Sequence, residues 1–287
     1  MISRRPSAIL MYHRVEDATY DPWRLSVRPA NFEQHLRALS RHRVVPLSQL
    51  METAGAIAIT FDDGYLDFLE NALPLLEKYN MPATLFYPID AMHGREFWWD
   101  RVEHFLEGQR GEPSYVGLAL LERRRIAALG AKLRSLAPSE LEQVASQLGV
   151  RHSESGACAR HQMLTRDQLR VVARSPLIEI GAHTLSHPCL PQLSQEEQVR
   201  EINESRCILE DIVGKPIKSF AYPYGAHDDR SVHAAKYSGI DIACIVGGGL
   251  VRESTHPLRL PRLMVRDFSG AGFLIHLKLW MALRWFA

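Results

Sequence analysis

The sequence predicts an α/β protein, and three observations carry that reading. Short β-like runs alternate with stretches whose apolar residues recur at helical spacing. Several of those stretches open with capping residues. The composition is that of an ordinary globular protein, with 46% apolar and 23% charged residues among 287, enough to bury a sizeable core.

In chain order, Ala8–Tyr12, Ala56–Phe61, Ala83–Tyr87, Leu177–Gly181, Ile217–Tyr222 and Asp241–Val246 read as strands. Asn31–His42, Leu66–Tyr79, Thr165–Ala173, Gln195–Val213 and Asp229–Ser238 read as helices. Thr165-Arg166-Asp167 opens one of them. Ser194, with Glu197 three residues on, makes a capping box for the next, and Gly214-Lys215-Pro216 closes it. The alternation breaks between about residues 95 and 161, which lack strand-like runs and read as a helical insertion. Its clearest segments are Leu118–Leu136 and Pro138–Leu148. The run Glu122-Arg123-Arg124-Arg125 reads as a solvated helix face, with an anion site as the alternative. The expected organisation is one domain over 1–287, with the insertion and an amphipathic C-terminal helix at about 272–286.

Charge excludes some functions. Lys plus Arg number 34 against 33 Asp plus Glu, so no basic excess points to nucleic acid. Cys158, Cys189, Cys207 and Cys244 form no CxxC pair and read as small buried hydrophobes. The strand-length run after Arg4-Arg5-Pro6 ends at His13-Arg14, so no export signal is expected. Gly272 to Ala287 is apolar but interrupted by His276, Lys278 and Arg284, too charged to span a bilayer. Docking on the domain is its first reading and lying on a membrane surface its second. The expected location is cytoplasmic, or peripheral at the cytoplasmic face of the membrane.

Four segments could carry chemistry. In Ile57-Ala58-Ile59-Thr60-Phe61-Asp62-Asp63-Gly64, a buried strand runs into two carboxylates at the strand end, where α/β folds bind ligands. Adjacent carboxylates repel unless a cation or proton neutralises one, although helix capping by Asp63 would also explain the pair. In His183-Thr184-Leu185-Ser186-His187, two imidazoles four residues apart could share a cation, or be ordinary loop residues. Two His plus one Asp leave coordination positions open, the pattern of a catalytic metal site. Phe220-Ala221-Tyr222-Pro223-Tyr224-Gly225 is either a packed turn or a rigid wall presenting backbone N–H groups to the reacting centre. Met11-Tyr12-His13-Arg14 places His13 at the same rim.

Together these residues resemble the polysaccharide deacetylases of carbohydrate esterase family 4. Thr60-Phe61-Asp62-Asp63-Gly64 matches the family's first motif, His183 to His187 its second, and Phe220 to Gly225 a variant third. Met11 to Val15, Phe97-Trp98-Trp99-Asp100 and Leu260-Pro261-Arg262 are most similar to the exopolysaccharide-associated branch. The resemblance implies a distorted (β/α) barrel that removes N-acetyl groups from N-acetylhexosamine units of a glycan or glycan precursor. It implies one divalent ion on Asp63, His183 and His187, with zinc the default and nickel, cobalt or iron fitting nearly as well. By the same resemblance Asp62 is the general base, and the Tyr224 backbone N–H steadies the oxyanion. Tyr222 and Pro223 join Tyr224 in contacting substrate.

Two places depart from the family pattern. The arginine that orients the catalytic Asp in many members is replaced by Ala221 and Tyr222. The late Leu-x-His motif is matched only by Leu274-Ile275-His276, inside a helix-like run, whereas Leu258 to Val265 is the better positional counterpart and has no histidine. His13 is therefore the first candidate for the general acid, with His256 and His227 behind it. Two alternatives stay open: the same site acting on a non-sugar amide or cyclic imide, and a glycan-binding relative without catalysis.

Overall fold

Strands buried on both faces need continuous apolar runs, and the observed barrel is built from them. The structure is a computed structural model that describes residues 5–94, 96–108, 116–134, 136, 140, 141, 143, 144 and 159–282. Its strands are β1 (Ala8–Tyr12), β2 (Arg14–Val15), β3 (Ser26–Val27), β4 (Ile57–Phe61), β5 (Ala83–Tyr87), β6 (Ile178–Ala182), β7 (Ser219–Ala221), β8 (Ile242–Val246) and β9 (Leu260–Met264). Every residue of β1, β4 and β5 is buried. Seven strands close a parallel barrel in the order β1-β4-β5-β6-β7-β8-β9, with β9 pairing back onto β1. The weakest seam is β6–β7, joined only at Ala182 and Phe220. The pair β2–β3 forms a small separate sheet.

The helices are α1 (Pro29–Leu39), α2 (Leu73–Lys78), α3 (Trp98–Gly108), α4 (Val116–Arg134), α5 (Arg166–Arg174), α6 (Gln195–Val213), α7 (Asp229–Tyr237) and α8 (Gly270–Ala282). Alternation along the strands sends Leu10, Ile59 and Leu85 outward into the helix layer. Ile9, Ala58, Phe86, Ala221, Cys244 and Leu260 form the second cluster, inside the barrel. Thr165, Ser194 and Asp228 each complete a capping box, and Gly214 ends α6 at φ 67°.

The expected α/β barrel is therefore present, with strand ends shifted by a residue or two. Three strands were not anticipated. β2 and β3 are only two residues each, and β9 carries Pro261 and Arg262 where a continuous apolar run would be looked for. The expected helix Leu66–Tyr79 is split into a π-helical turn, Phe68–Ala72, and α2, with Pro74 in the first turn of α2 where its missing N–H is tolerated. The insertion between β5 and β6 is helical in α3 and α4. The expected helix Pro138–Leu148 falls largely outside the described residues, as do Cys158 and the side chains of Glu122 and Arg123. Cys244 is buried as expected, but Cys189 is half-buried and Cys207 exposed, because α6 turns that residue to its outer face. No helix among the described residues is long and apolar enough to cross a membrane.

The outer core under β1 and β4 is aromatic. Phe61 stacks on Tyr12 at 5.3 Å and meets Phe32 and Phe68 edge-on at 5.7 and 4.9 Å. It is fully buried at the residue before the two acids. Phe61→Ala is expected to cost about 3–5 kcal/mol of stability in a urea titration; a loss below about 1 kcal/mol would show that this cluster does not anchor β4.

Candidate metal centre and active site

The carboxyl ends of the barrel strands converge on one rim. Asp62 and Asp63 follow β4 directly, His183 follows β6, Tyr224 lies in the turn after β7, and His13 follows β1. Asp63 Oδ1 lies 3.5 Å from His183 Nε2 and 3.4 Å from His187 Nε2, and all three side chains are buried. Two atoms each about 2.1 Å from one ion at a tetrahedral angle would be roughly 3.4 Å apart, so the trio fits a single divalent cation. The tautomer fits as well. His183 Nδ1 is 2.7 Å from the Ala221 carbonyl, to which it donates, leaving the Nε2 lone pair directed at Asp63. His187 Nδ1 is buried without a hydrogen-bond partner among the described residues.

The loop carrying both imidazoles is held from several sides. Glu201 of α6 accepts from the Leu185 and Ser186 amides at 2.9 and 3.0 Å and from the Ser186 hydroxyl at 2.8 Å. Thr184 Oγ1 accepts from the His187 amide and donates to the His183 carbonyl. Asp63, Thr184, His187 and Tyr224 all take left-handed φ, at 74°, 70°, 58° and 59°. Only two other non-glycine residues among those described do so, and such strain concentrates at functional sites. Gly64, at φ 78°, has no room for a Cβ, which would collide with the Tyr87 ring.

Asp62 has a different partner. Arg262 of β9 grips it with two bonds of 2.6 Å, Nη1 to Oδ1 and Nη2 to Oδ2, and its guanidinium also reaches Thr60. Arg262 is 1% exposed and its guanidinium lies 5.4 Å from the Phe86 ring centre. Burial raises the Asp62 carboxyl, but the Arg262 charge overrides it and holds the group below its usual range. Burial likewise opposes Asp63, which the two imidazoles bring far down. The arginine absent from the third segment is thus supplied across the barrel, and the sequence reading missed it. The signal was Leu260-Pro261-Arg262, an arginine inside an otherwise apolar strand. His13 is half-buried beside the acids. Burial lowers its pKa against the pull of Asp63 and Asp62, leaving the imidazole neutral at neutral pH.

Aromatic rings wall the centre. Trp99 and Tyr224 meet the His187 ring at 5.0 and 4.7 Å, and Trp98 Nε1 donates to the Tyr224 hydroxyl at 2.9 Å. A cleft of about 200 Å³ runs from His187 along Trp98 and Tyr224 to Arg134 of the insertion. Trp99 Nε1 donates to the Tyr65 hydroxyl, which donates to the buried Asp100 carboxylate at 2.9 Å. Burial pushes Asp100 up to about 7 against the opposing pull of His161.

Several expected residues stand elsewhere. Tyr222 is fully buried, with its hydroxyl donating to the Leu258 carbonyl at 3.1 Å, and Pro223 is buried beneath the turn. Of the three residues expected to contact substrate, Tyr224 lines the cleft, whereas Tyr222 and Pro223 are not among its lining residues. His227 bonds the nearby Gly225 carbonyl and His256 accepts from the Leu258 amide, each serving its own turn. His276 donates to the Gly272 carbonyl within α8 and stacks on Phe268, so the late Leu-x-His match is a helix residue.

A parallel (β/α) barrel whose strand ends gather a carboxylate, two imidazoles and a separately paired acid has the architecture of a barrel hydrolase. The polysaccharide deacetylase family model matches residues 51–108 and 118–243, more than half of the chain, and the protein belongs to that family. The poly-beta-1,6-N-acetyl-D-glucosamine N-deacetylase of Staphylococcus aureus (strain MRSA252) is 21% identical over 279 residues, covering 90% of this chain and 78% of its own. The Bacillus subtilis (strain 168) protein YxkH is 22% identical over 276 residues, covering 92% and 74%. The fold is shared with IcaB from Ammonifex degensii, at a TM-score of 0.63 and 16% identity over 97% of this chain and 98% of that one. It is also that of the Streptococcus pyogenes deacetylase PplD in complex with acetate, at a TM-score of 0.65 and 18% identity over 95% and 98%.

Removing one partner of a buried ion pair strands the other charge. Arg262→Met is expected to cost about 3–5 kcal/mol at neutral pH, and adding Asp62→Asn to restore most of it. Equal instability of the single and double variants in urea titrations would mean that the two side chains are not coupled.

Proposed function

We propose that the protein is a metal-dependent N-deacetylase that releases acetate from N-acetylhexosamine units of a glycan or glycan precursor. One observation carries the reading: two adjacent buried carboxylates have separate partners, Asp62 an arginine and Asp63 a pair of imidazoles. Membership of the family supports the reaction class. The printed function of the Staphylococcus aureus relative makes a β-1,6-linked N-acetylglucosamine polymer the first substrate to try.

A divalent ion on Asp63, His183 and His187 would supply Lewis acidity toward the acetyl carbonyl and lower the pKa of a bound water, with zinc the first choice and nickel, cobalt or iron next. The chain's own residues do the rest. Asp62 is ionised at neutral pH, and Arg262 fixes its orientation, so it can take a proton as water attacks. The Tyr224 backbone N–H, in the left-handed turn that follows Pro223, is assigned to the oxyanion. The sugar nitrogen must gain a proton before the C–N bond breaks. His13, neutral at rest, is assigned to accept the proton that Asp62 took from the water and pass it to that nitrogen. Trp99 and Tyr224 pack around His187 and shield the site from bulk water.

Acetate release from N-acetylglucosamine oligomers, followed on chelated protein before and after adding back divalent ions, is the test. Asp62→Asn is expected to lower turnover at least 100-fold while the variant still retains an ion, whereas Asp63→Asn loses both. The reverse pattern would exchange the two roles, and acetate release insensitive to either would remove the proposal.

The pH dependence follows from the depressed imidazoles. His13 and His187 are both pushed below the usual histidine value of 6.5, chiefly by burial, and are neutral above it. Activity should therefore hold through neutral pH and fall in more acidic solution as they protonate, with His13→Ala lowering kcat more than it changes KM. An activity that rises steadily as pH falls below 6 would contradict this assignment.

A further inference from the structure

The helix α8 is apolar on two opposite faces. Its inner face packs on α1, with Phe273 and Leu277 buried and the Phe273 ring stacked on His35 at 4.2 Å. On its outer face Ile275 and Leu279, one turn apart, are 58% and 45% exposed. Each of the other exposed large apolar side chains among the described residues stands alone on its element. A surface helix ordinarily turns charged residues outward, but the exposed residues here are Ala271, Ile275 and Leu279, with Lys278 between the last two.

The charge of this region has one sign. From Phe268 to Ala287 the sequence holds no Asp or Glu, while Lys278 and Arg284 are positive. We propose that the outer face of α8 lies on an anionic lipid surface, with Ile275 and Leu279 in the headgroup boundary and Lys278 reaching up to lipid phosphates. A second copy fits the face less well. Pairing two such stripes about a twofold axis would bring the Lys278 side chains toward each other on an apolar seam, with no carboxylate on either helix to offset them. The 13 described residues of α8 span about 20 Å, and no helix among the described residues is long and apolar enough to cross a membrane. Helix α8 leaves β9 at the end of the barrel that carries the candidate site, so the mouth would sit beside the surface, within reach of a lipid-attached glycan.

The test uses the full chain and vesicles, and is independent of the reaction. Sedimentation should show binding to phosphatidylcholine vesicles containing phosphatidylglycerol, little binding to phosphatidylcholine alone, and weakening with salt. Ile275→Glu with Leu279→Glu should abolish binding, and Lys278→Glu should weaken it roughly tenfold or more, each with an unchanged melting temperature. Should the double variant fail to fold, Lys278→Glu alone decides the matter. Absence of binding to both vesicles, or binding unaffected by Lys278→Glu, would overturn the proposal. So would a dimer in solution that the outer-face substitutions convert to monomer, which would give this face to a second copy.

Discussion

Two carboxylates on consecutive residues, both withdrawn from water, set the terms for the rest of this structure. Burial alone would protonate one or both. They are directed to different partners, Asp62 to the Arg262 guanidinium and Asp63 to the imidazoles of His183 and His187. The barrel is arranged to make that division. Inside it, Ala58 and Ala221 are small, and Gly181 lets the Phe86 ring press against its backbone below the guanidinium. Arg262 occupies that space from β9, two strands on from the β7 segment where the family's usual arginine would arise.

Keeping the imidazoles opposite Asp63 requires backbone that most residues avoid. Left-handed conformations of non-glycine residues cost about 1–3 kcal/mol each and persist only where surrounding bonds over-determine them. Glu201 supplies three of those bonds to the histidine loop, and Thr184 braces it from within. The segment after Asp63 is tied to the end of the insertion, with Leu66 donating to the Gln162 carbonyl and Leu164 to that of Gly64. Behind it, the buried Arg14 pairs with Glu16 and Asp67, and Arg160 joins Glu16 to Glu103. The insertion is thus fastened to the catalytic end of the barrel by charged groups with little water to compete for them.

The fold was legible because its signals are local. Continuous apolar runs gave six of the seven barrel strands, and Ser194, Glu197 and Gly214 marked both ends of α6. The trio Asp63, His183 and His187 was legible because motif spacing and strand ends coincide. What stayed hidden depends on contacts between distant residues. Arg262 reaches Asp62 across 200 residues of sequence, and nothing near either announces the other. Tyr222 reads as a site residue from its motif, yet only its packing shows that it faces Leu258 and not the cleft. Likewise α8 has the composition of a docked helix, but its exposed stripe appears only once Phe273 and Leu277 are seen to be buried.

The central claim is that the two neighbouring acids divide their labour, one toward a metal ion and one toward a proton. It is tested most directly by anomalous diffraction from crystals of the chelated protein soaked with zinc. The account predicts a single strong peak within bonding distance of Asp63 Oδ1, His183 Nε2 and His187 Nε2, while Asp62 stays on Arg262 and outside the coordination sphere. A peak bonded to Asp62 with its arginine displaced, or an ion seated away from the two histidines, would contradict it.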